Sequence, residues 1–148
     1  MHKESLILSM RIYLIAIVLF LFGTGHSLYA QPHTLTVEIE QVVPGRGVLK
    51  ISLYDAPGSF LEQGLEKHQS DLEEGGSTRF VFDQIPPGEY AIAVIQDSNK
   101  NGTLDKGMFG PTEPYGFSND AGCLFGPPSF EDASFELTGN REMTIELK

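Results

Sequence analysis

Apolar and polar residues alternate in short segments of the chain, and turn-forming residues separate the segments. Alternation with a period of two is typical of β-strands that bury one face. Six segments show this alternation. The apolar residues of the first four are Leu35, Val37 and Ile39; Leu49, Ile51 and Leu53; Phe80 and Phe82; and Tyr90, Ile92 and Val94. The last two segments are residues 135–137 and residues 143–147. The pattern predicts an all-β domain with six core strands.

Glycine and proline between these segments indicate where the chain turns. Residues 44–47 separate the first two segments, residues 86–88 the next two, and Gly139 with Asn140 the last two. Proline fixes φ and glycine accepts positive φ, so each stretch suits a turn between antiparallel neighbours. We predict three hairpins that form an antiparallel two-sheet β-sandwich.

One stretch departs from the alternation. Ser59 and Glu62 have the spacing of a capping box, and apolar residues at helical spacing lie close to them. This predicts one short surface helix over residues 59–69, across one end of the sandwich. Gly64 would weaken that helix by about 1 kcal/mol relative to alanine. The alternative is a polar loop with one apolar anchor.

Residues 107–128 contain nine glycines or prolines in 22 positions. That density predicts a loop without a regular strand or helix, and its aromatic side chains can stabilise an ordered conformation that covers one end of the sheets. We expect these aromatics to contact a partner or ligand. The alternative is that, together with Phe130, they only cap the core. The aromatic residues in question are Phe109, Tyr115, Phe117 and Phe125.

The N-terminal region has the pattern of an export signal. Residues 12–22 form an unbroken apolar run of 11 residues, preceded by Arg11 and followed by small, turn-forming residues. A membrane-spanning helix needs roughly 20 apolar residues, so the run has the length of a signal-peptide core. We predict that residues 1–30 are a signal peptide cleaved after Ala30. Residues 31–148 then form a single domain, periplasmic or secreted, without stable membrane insertion.

Charge narrows the range of partners. The chain of 148 residues has 20 acidic and 10 basic residues, and residues 31–148 have 19 and 8, a net charge of −11. Such a surface repels phosphate, which argues against nucleic acid and anionic membranes and leaves a protein or carbohydrate partner. A single cysteine, Cys123, excludes an internal disulfide, and there is no cluster with zinc spacing.

Residues 97–105 match the opening of a calcium-binding loop, D-x-[DN]-x-[DN]-G. Side-chain oxygens at alternate positions can point at one ion, and Gly102 at the sixth position permits the sharp turn. Calcium is therefore the expected cofactor. The predicted ligands are the side chains of Asp97, Asn99, Asn101 and Asp105 and the carbonyl of Thr103.

The loop differs from an EF-hand, because Met108 stands where the bidentate carboxylate belongs and a strand precedes the motif. Another segment can supply a carboxylate. If the first two hairpins run up and down, their second and fourth strands end on the same side, and Asp55 lies near the loop. Glu113 and Asp120 are on the long loop that leaves the same end. The alternative is an Asn-Gly-containing turn whose oxygens form hydrogen bonds with the backbone.

Four blocks resemble the bacterial domain-of-unknown-function family 2141: residues 82–94, 97–105, 115–119 and 125–133. The resemblance extends over residues 35–147 and implies an exported protein without an established activity. Gln96 departs from the family's pattern, which usually has histidine before the aspartate. The strand and turn order is also similar to transthyretin-like and surface-adhesin sandwiches, which favours a transthyretin-like or immunoglobulin-like fold.

Two functions from different classes follow. The first is an exported, non-enzymatic binding or structural module that calcium stabilises. The second is a hydrolytic or carbohydrate-processing enzyme with clustered carboxylates, which needs two acids facing each other at a defined separation. Cys123 has no catalytic signature around it, and after cleavage only His33 and His68 remain as bases, so we interpret it as an inert thiol. No catalytic residue is predicted.

Overall fold

The structure is a computed structural model that describes residues 31–123 and 126–148. The predicted signal peptide and Phe125 lie outside these residues. No helix within them is long and apolar enough to cross a membrane. The strands are β1 (His33–Glu40), β2 (Val48–Tyr54), β3 (Glu66–Asp71), β4 (Arg79–Ile85), β5 (Gly88–Asp97), β6 (Lys106–Gly107), β7 (Gly110–Pro111), β8 (Tyr115–Phe117), β9 (Phe135–Leu137) and β10 (Arg141–Glu146). The helices are α1 (Phe130–Ala133) and three 3₁₀ turns at Pro57–Ser59, Leu72–Glu74 and Ser118–Asp120.

Two sheets pack face to face, which confirms the predicted all-β sandwich. The smaller sheet has the order β10-β1-β4, in which β1 is parallel to β10 and antiparallel to β4. The larger sheet has the order β3-β2-β5-β8, with β9 also paired to β5, and all its pairs are antiparallel. Strands β6 and β7 form a separate two-stranded hairpin.

The three predicted hairpins are wrong. In each predicted pair, β1 with β2, β4 with β5, and β9 with β10, the two strands belong to different sheets. Val37, for example, pairs with Phe80 and Met143, whereas Leu49 pairs with Ser70 and Gln96. Each turn therefore carries the chain from one sheet to the other. Alternation identifies the buried face of a strand, but which strands become neighbours depends on contacts between distant segments.

The core lies between the two sheets and contains the side chains that the alternation identified. Leu35 and Val37 of β1 face Leu49 and Ile51 of β2 across this layer, and all four are fully buried. Burying each such side chain stabilises the fold by about 1.5–3 kcal/mol. The core therefore fixes the inward face of every long strand, and the ends of those strands determine where the loops meet.

A second apolar cluster covers the outer face of the larger sheet. Ala91 and Ala93 of β5 lie beneath it, and their small side chains leave room for aromatic rings. The ring centroid of Phe60 is 5.2 Å from that of Tyr54 and 5.8 Å from that of Phe130. Strand β5 is thus buried on both faces, which explains its nearly continuous apolar sequence.

The predicted helix over residues 59–69 is also wrong. The chain makes a 3₁₀ turn at Pro57–Ser59, and Glu66–Asp71 forms the edge strand β3 along β2. Pairing with β2 gives the backbone N–H and C=O groups of this polar segment hydrogen-bond partners. The stabilisation from this pairing exceeds the weak preference of the segment for a helix. The capping box that the structure contains is at Ser129 and Asp132, at the start of α1.

Residues 107–128 contain strands, contrary to the prediction. Strand β8 pairs with β5, and β6 with β7 folds the start of the segment back on itself. Six strands were expected, whereas ten short and long strands are present among the described residues. Gly116 of β8 lies so close to β10 that a Cβ there would be 2.8 Å from the carbonyl oxygen of Glu146. Glycine thus permits a strand to dock where its sequence suggested only a loop.

Candidate functional site

The 97–105 loop lies where several strand ends of the larger sheet meet. Asp97 ends β5 and is paired with Val48, the first residue of β2, and Val48 is also paired with Asp71, the last residue of β3. Gly47 has a φ of 70° and packs against the Asp97 carbonyl, so a side chain there would clash with the backbone. The end of the sheet therefore brings two acidic residues, Asp97 of β5 and Asp71 of β3, to either side of the start of β2.

The carboxylate of Asp97 is fully buried and accepts three hydrogen bonds. Its Oδ2 accepts from Lys50 Nζ at 2.6 Å and from the Gly102 N–H at 2.8 Å. Its Oδ1 accepts from the Asn101 N–H at 3.0 Å. Burial by itself favours the neutral acid, but the Lys50 ammonium and the two N–H groups outweigh it, so the pKa of Asp97 is lowered. Asp97 is therefore an ionised group held by a cation and by the turn.

The other predicted ligands form a network within the loop. Asp105 accepts hydrogen bonds from the amides of Asn99 at 2.7 Å and Asn101 at 2.8 Å. The Asn101 Oδ1 accepts from the N–H and the hydroxyl of Thr103 at 2.9 and 3.0 Å. These contacts bring Asp97, Asn99, Asn101 and Asp105 into one connected turn. The loop's side-chain oxygens also accept from backbone N–H groups, as the alternative interpretation of the motif requires.

Glu113 reaches this loop, as the sequence suggested. Its buried carboxylate accepts from the Ser98 N–H at 2.7 Å and from the Asp105 N–H at 3.1 Å. Glu113 thereby ties both ends of the loop to the segment between β7 and β8. It adds a third carboxylate to those of Asp97 and Asp105.

The other two candidate carboxylates lie elsewhere. Strands β2 and β5 are antiparallel, with Tyr54 paired to Ala91, so Asp55 lies at the opposite end of this pair from Asp97. The expectation that the two strands end on the same side is wrong. Asp120 is exposed in the last 3₁₀ turn, where its carbonyl accepts from Lys148 Nζ. Its carboxylate makes no hydrogen bond to the loop among the described residues.

Lys100, inside the loop, is bound to acids that the sequence analysis did not single out. Its Nζ donates to Asp71 Oδ2 and to Glu73 Oε2, each at 2.9 Å. These contacts raise the pKa of Lys100 and lower those of Asp71 and Glu73. Lys100 is 27 positions from Glu73 and 29 from Asp71, so only the antiparallel pairing of β2 with β3 and β5 reveals their proximity.

The structural role of Gln96 was also not evident from the sequence. Its side chain is fully buried and closes the 42–47 turn: Oε1 accepts from the Val43 N–H at 2.9 Å, and Nε2 donates to the carbonyls of Val43 and Arg46, each at 2.8 Å. Gln96 therefore holds the turn that precedes β2 against the end of β5. The signal in the sequence that could have indicated this role is that Gln96 directly precedes the calcium-loop motif.

The site holds a positive charge of its own. Among residues 31–123 and 126–148, no group of three or more acidic, histidine or cysteine side chains is arranged to hold a metal ion. At the most buried carboxylate the cation is the Lys50 ammonium. An ionised carboxylate offers about four lone-pair directions, and Asp105 and Glu113 each accept only two hydrogen bonds. Acceptor capacity for a cation therefore remains.

The candidate contact aromatics separate into different environments. Phe117 is buried in the second apolar cluster, and Tyr115 packs against it with ring centroids 6.0 Å apart. Phe109 is 99% exposed, and the adjacent Met108 is 91% exposed, at the turn between β6 and β7. Phe130 is buried in the same cluster as Phe117. We name Met108 and Phe109 the hairpin tip.

No curated protein and no solved structure matches this chain. A family model described as an uncharacterized protein conserved in bacteria, DUF2141, matches residues 37–146. That range includes every strand from β2 to β10 and most of β1. The resemblance noted in the sequence is thereby confirmed, and the chain belongs to the DUF2141 family.

Proposed function

We propose that this protein is an exported, non-enzymatic binding module in which calcium stabilises the 97–105 loop and the exposed apolar hairpin tip that follows it contacts a ligand. The observation that supports it best is the buried Asp97 carboxylate, ionised and bound to a cation at the end of β5. A fully buried carboxylate is costly unless a positive charge accompanies it. The Lys50 side chain is 27% exposed, so it can leave Asp97 for solvent when another cation takes its place.

Calcium suits the donor set, because every donor is an oxygen from a carboxylate, an amide or a carbonyl. Asp97, Asp105 and Glu113 supply three carboxylates around the loop. To bind the ion, the amides of Asn99 and Asn101 have to give up their hydrogen bonds to Asp105 and turn their oxygens to the ion. Their Oδ1 atoms now accept from the Asn101 N–H and from Thr103, so the loop rearranges on binding. The site then forms on binding, so its affinity suits extracellular calcium concentrations.

A calcium-dependent melting experiment tests this proposal. Extracellular calcium modules have dissociation constants of about 10⁻⁴–10⁻³ M. With a value of about 0.1 mM, 1 mM calcium stabilises the fold by about 1.4 kcal/mol. For a domain of this size the melting temperature rises by about 5 °C relative to chelator. Magnesium gives a smaller rise, because its octahedral shell tolerates a wide loop poorly.

Variants locate the effect. Asp97→Ala abolishes the calcium-dependent rise; where that variant does not fold, Asp105→Ala serves, because Asp105 is less buried. Asp55→Asn is the control, since Asp55 lies at the opposite end of the strand pair. A wild-type melting curve unmoved between chelator and several millimolar calcium, together with no heat of binding in calorimetry, contradicts the proposal. The loop is then a hydrogen-bonded turn neutralised by Lys50.

The alternative, a carboxylate-dependent hydrolase, gains no support from the loop. A general acid needs a raised pKa, whereas the pKa of Asp97 is lowered. The Glu113 carboxylate accepts two backbone N–H groups, and that of Asp105 accepts two amides. These acids therefore serve the structure of the loop, and we propose no catalytic residue.

A further inference from the structure

The hairpin tip differs from the rest of the described surface. Met108 and Phe109 are 91% and 99% exposed, whereas the other large apolar residues exposed among residues 31–123 and 126–148 have exposures of 37–51%. The two are consecutive residues at the turn of the β6–β7 hairpin. We propose that this tip inserts reversibly into the surface of an electrically neutral, zwitterionic lipid bilayer. This inference rests on the proposed binding role of the hairpin and not on the calcium site.

The shape of the hairpin favours lipid over a protein partner. A stable protein interface buries about 1,200–2,000 Å² in total and contains a central apolar patch with a surrounding rim. The tip offers two apolar side chains, and its flanking residues Gly107 and Gly110 have no side chains to form a rim. A narrow apolar projection can instead enter the boundary between headgroups and acyl chains, about 5–10 Å deep.

The backbone of the hairpin tolerates such insertion. Gly107 pairs with Gly110, Lys106 pairs with Pro111, and the Thr112 N–H donates to the Asp105 carbonyl at 2.8 Å at the base of the hairpin. The outward-facing backbone groups of this two-stranded hairpin and those of its turn need headgroups or water, which limits insertion to the boundary region. Lys106 lies two residues from Met108 and is exposed, where its ammonium can reach a lipid phosphate.

Charge determines the kind of lipid. Residues 31–148 have a net charge of −11, so an anionic bilayer repels the domain, whereas a phosphatidylcholine surface does not. Two side chains bury less apolar surface than one myristoyl chain, whose partition constant is about 10⁴ M⁻¹. We therefore expect a partition constant of about 10²–10³ M⁻¹, with half-binding at about 1–10 mM lipid.

A tryptophan reporter tests the proposal. The chain has no tryptophan, so Phe109→Trp introduces a single fluorophore at the tip. The variant is purified from the periplasmic or secreted fraction with its N-terminus verified by mass spectrometry, and is titrated with phosphatidylcholine vesicles. The expected result is a blue-shifted emission that brominated phosphatidylcholine quenches, and at least a fivefold weaker response when Met108→Ser is added. Vesicles rich in phosphatidylglycerol give a smaller response.

Val81→Trp is the matched control. Val81 is 42% exposed and lies on β4 of the smaller sheet, away from the hairpin. A response confined to position 109 supports insertion of the tip. Emission unchanged up to about 10 mM lipid, or equal responses at positions 81 and 109, overturns it. Each titration is made with calcium and with chelator. Failure of the calcium proposal appears as melting curves that calcium does not move, whereas failure of the lipid proposal appears as tryptophan emission that vesicles do not change.

Discussion

Single residues decide the charge state at the end of the larger sheet. The Lys50 ammonium lies 2.6 Å from the buried Asp97 carboxylate, and Lys100 bridges two acids at the surface. The exposed bridge contributes little to stability, because solvent screens it. The Lys50 contact matters more, since removing one partner of a buried pair leaves the other charge desolvated.

At this scale we predict the effect of Lys50→Met. Without calcium, the loss of the ammonium destabilises the fold by about 1–3 kcal/mol, less than for a fully buried pair because Lys50 is partly exposed. Under the proposed calcium site, calcium compensates the charge without having to displace Lys50, so the rise in melting temperature exceeds that of the wild type. Thermal melts with chelator and with 1 mM calcium measure both effects.

Lys67→Met is the control for this experiment, because Lys67 is an exposed residue of β3, the strand next to β2. It leaves both melting temperatures close to those of the wild type. Equal calcium effects in Lys50→Met and the wild type would mean that Lys50 does not compete with the ion.

At the scale of secondary-structure elements, backbone contacts between distant segments fix the positions of the loops and strand ends. Strand β8 pairs with β5, and its Tyr115 also exchanges backbone hydrogen bonds with Lys148 beyond β10, at 3.3 and 2.9 Å. This junction links the two sheets. The same junction fixes the position of Glu113, which lies two residues before β8. Through its contact with the Ser98 N–H, Glu113 in turn supports the 97–105 loop.

We predict that Gly116→Ala destabilises the protein by about 2–4 kcal/mol. Its Cβ would lie 2.8 Å from both the Glu146 carbonyl oxygen and the Ile145 Cγ2, so β8 must move away from β10. Chemical denaturation measures the loss. Gly122→Ala is the control: none of the described residues lies within 4 Å of its added Cβ, and its φ is not positive. Equal stability of the two variants would show that β8 does not approach β10 this closely.

At the scale of the whole molecule, the acidic composition of residues 31–148 and the N-terminal apolar run are the basis of our prediction that the protein is exported. A net charge of −11 over residues 31–148 opposes association with nucleic acid and with anionic membranes. The run of 11 apolar residues before it is too short to span a bilayer as a helix of roughly 20 residues. The two features together favour an exported domain.

Export is the prediction at this scale. Mass spectrometry of periplasmic or secreted protein identifies a mature chain that begins near Gln31, because the apolar run has the length of a signal-peptide core. Arg11→Glu, which reverses the positive charge immediately before the run, lowers the exported fraction, whereas Lys148→Glu does not. A full-length chain found only in the membrane fraction contradicts the prediction.

The sequence by itself determined the features that depend on local order along the chain. Alternation identified the core side chains, such as Leu35 and Ile51, and the calcium-loop pattern located the 97–105 turn. Both are visible because strand periodicity and turn chemistry act over a few residues. The family resemblance came from the same short blocks.

Tertiary structure decided which strands are neighbours and which side chains meet. It placed the strands of every predicted hairpin in different sheets, made residues 66–71 an edge strand, and moved Asp55 away from Asp97. Lys50 is 47 residues from Asp97 in the chain, and no local pattern couples them. The physical reason is that the apolar faces of distant strands gain most by covering one another, and this long-range gain exceeds the small preferences that local turn and helix signals express.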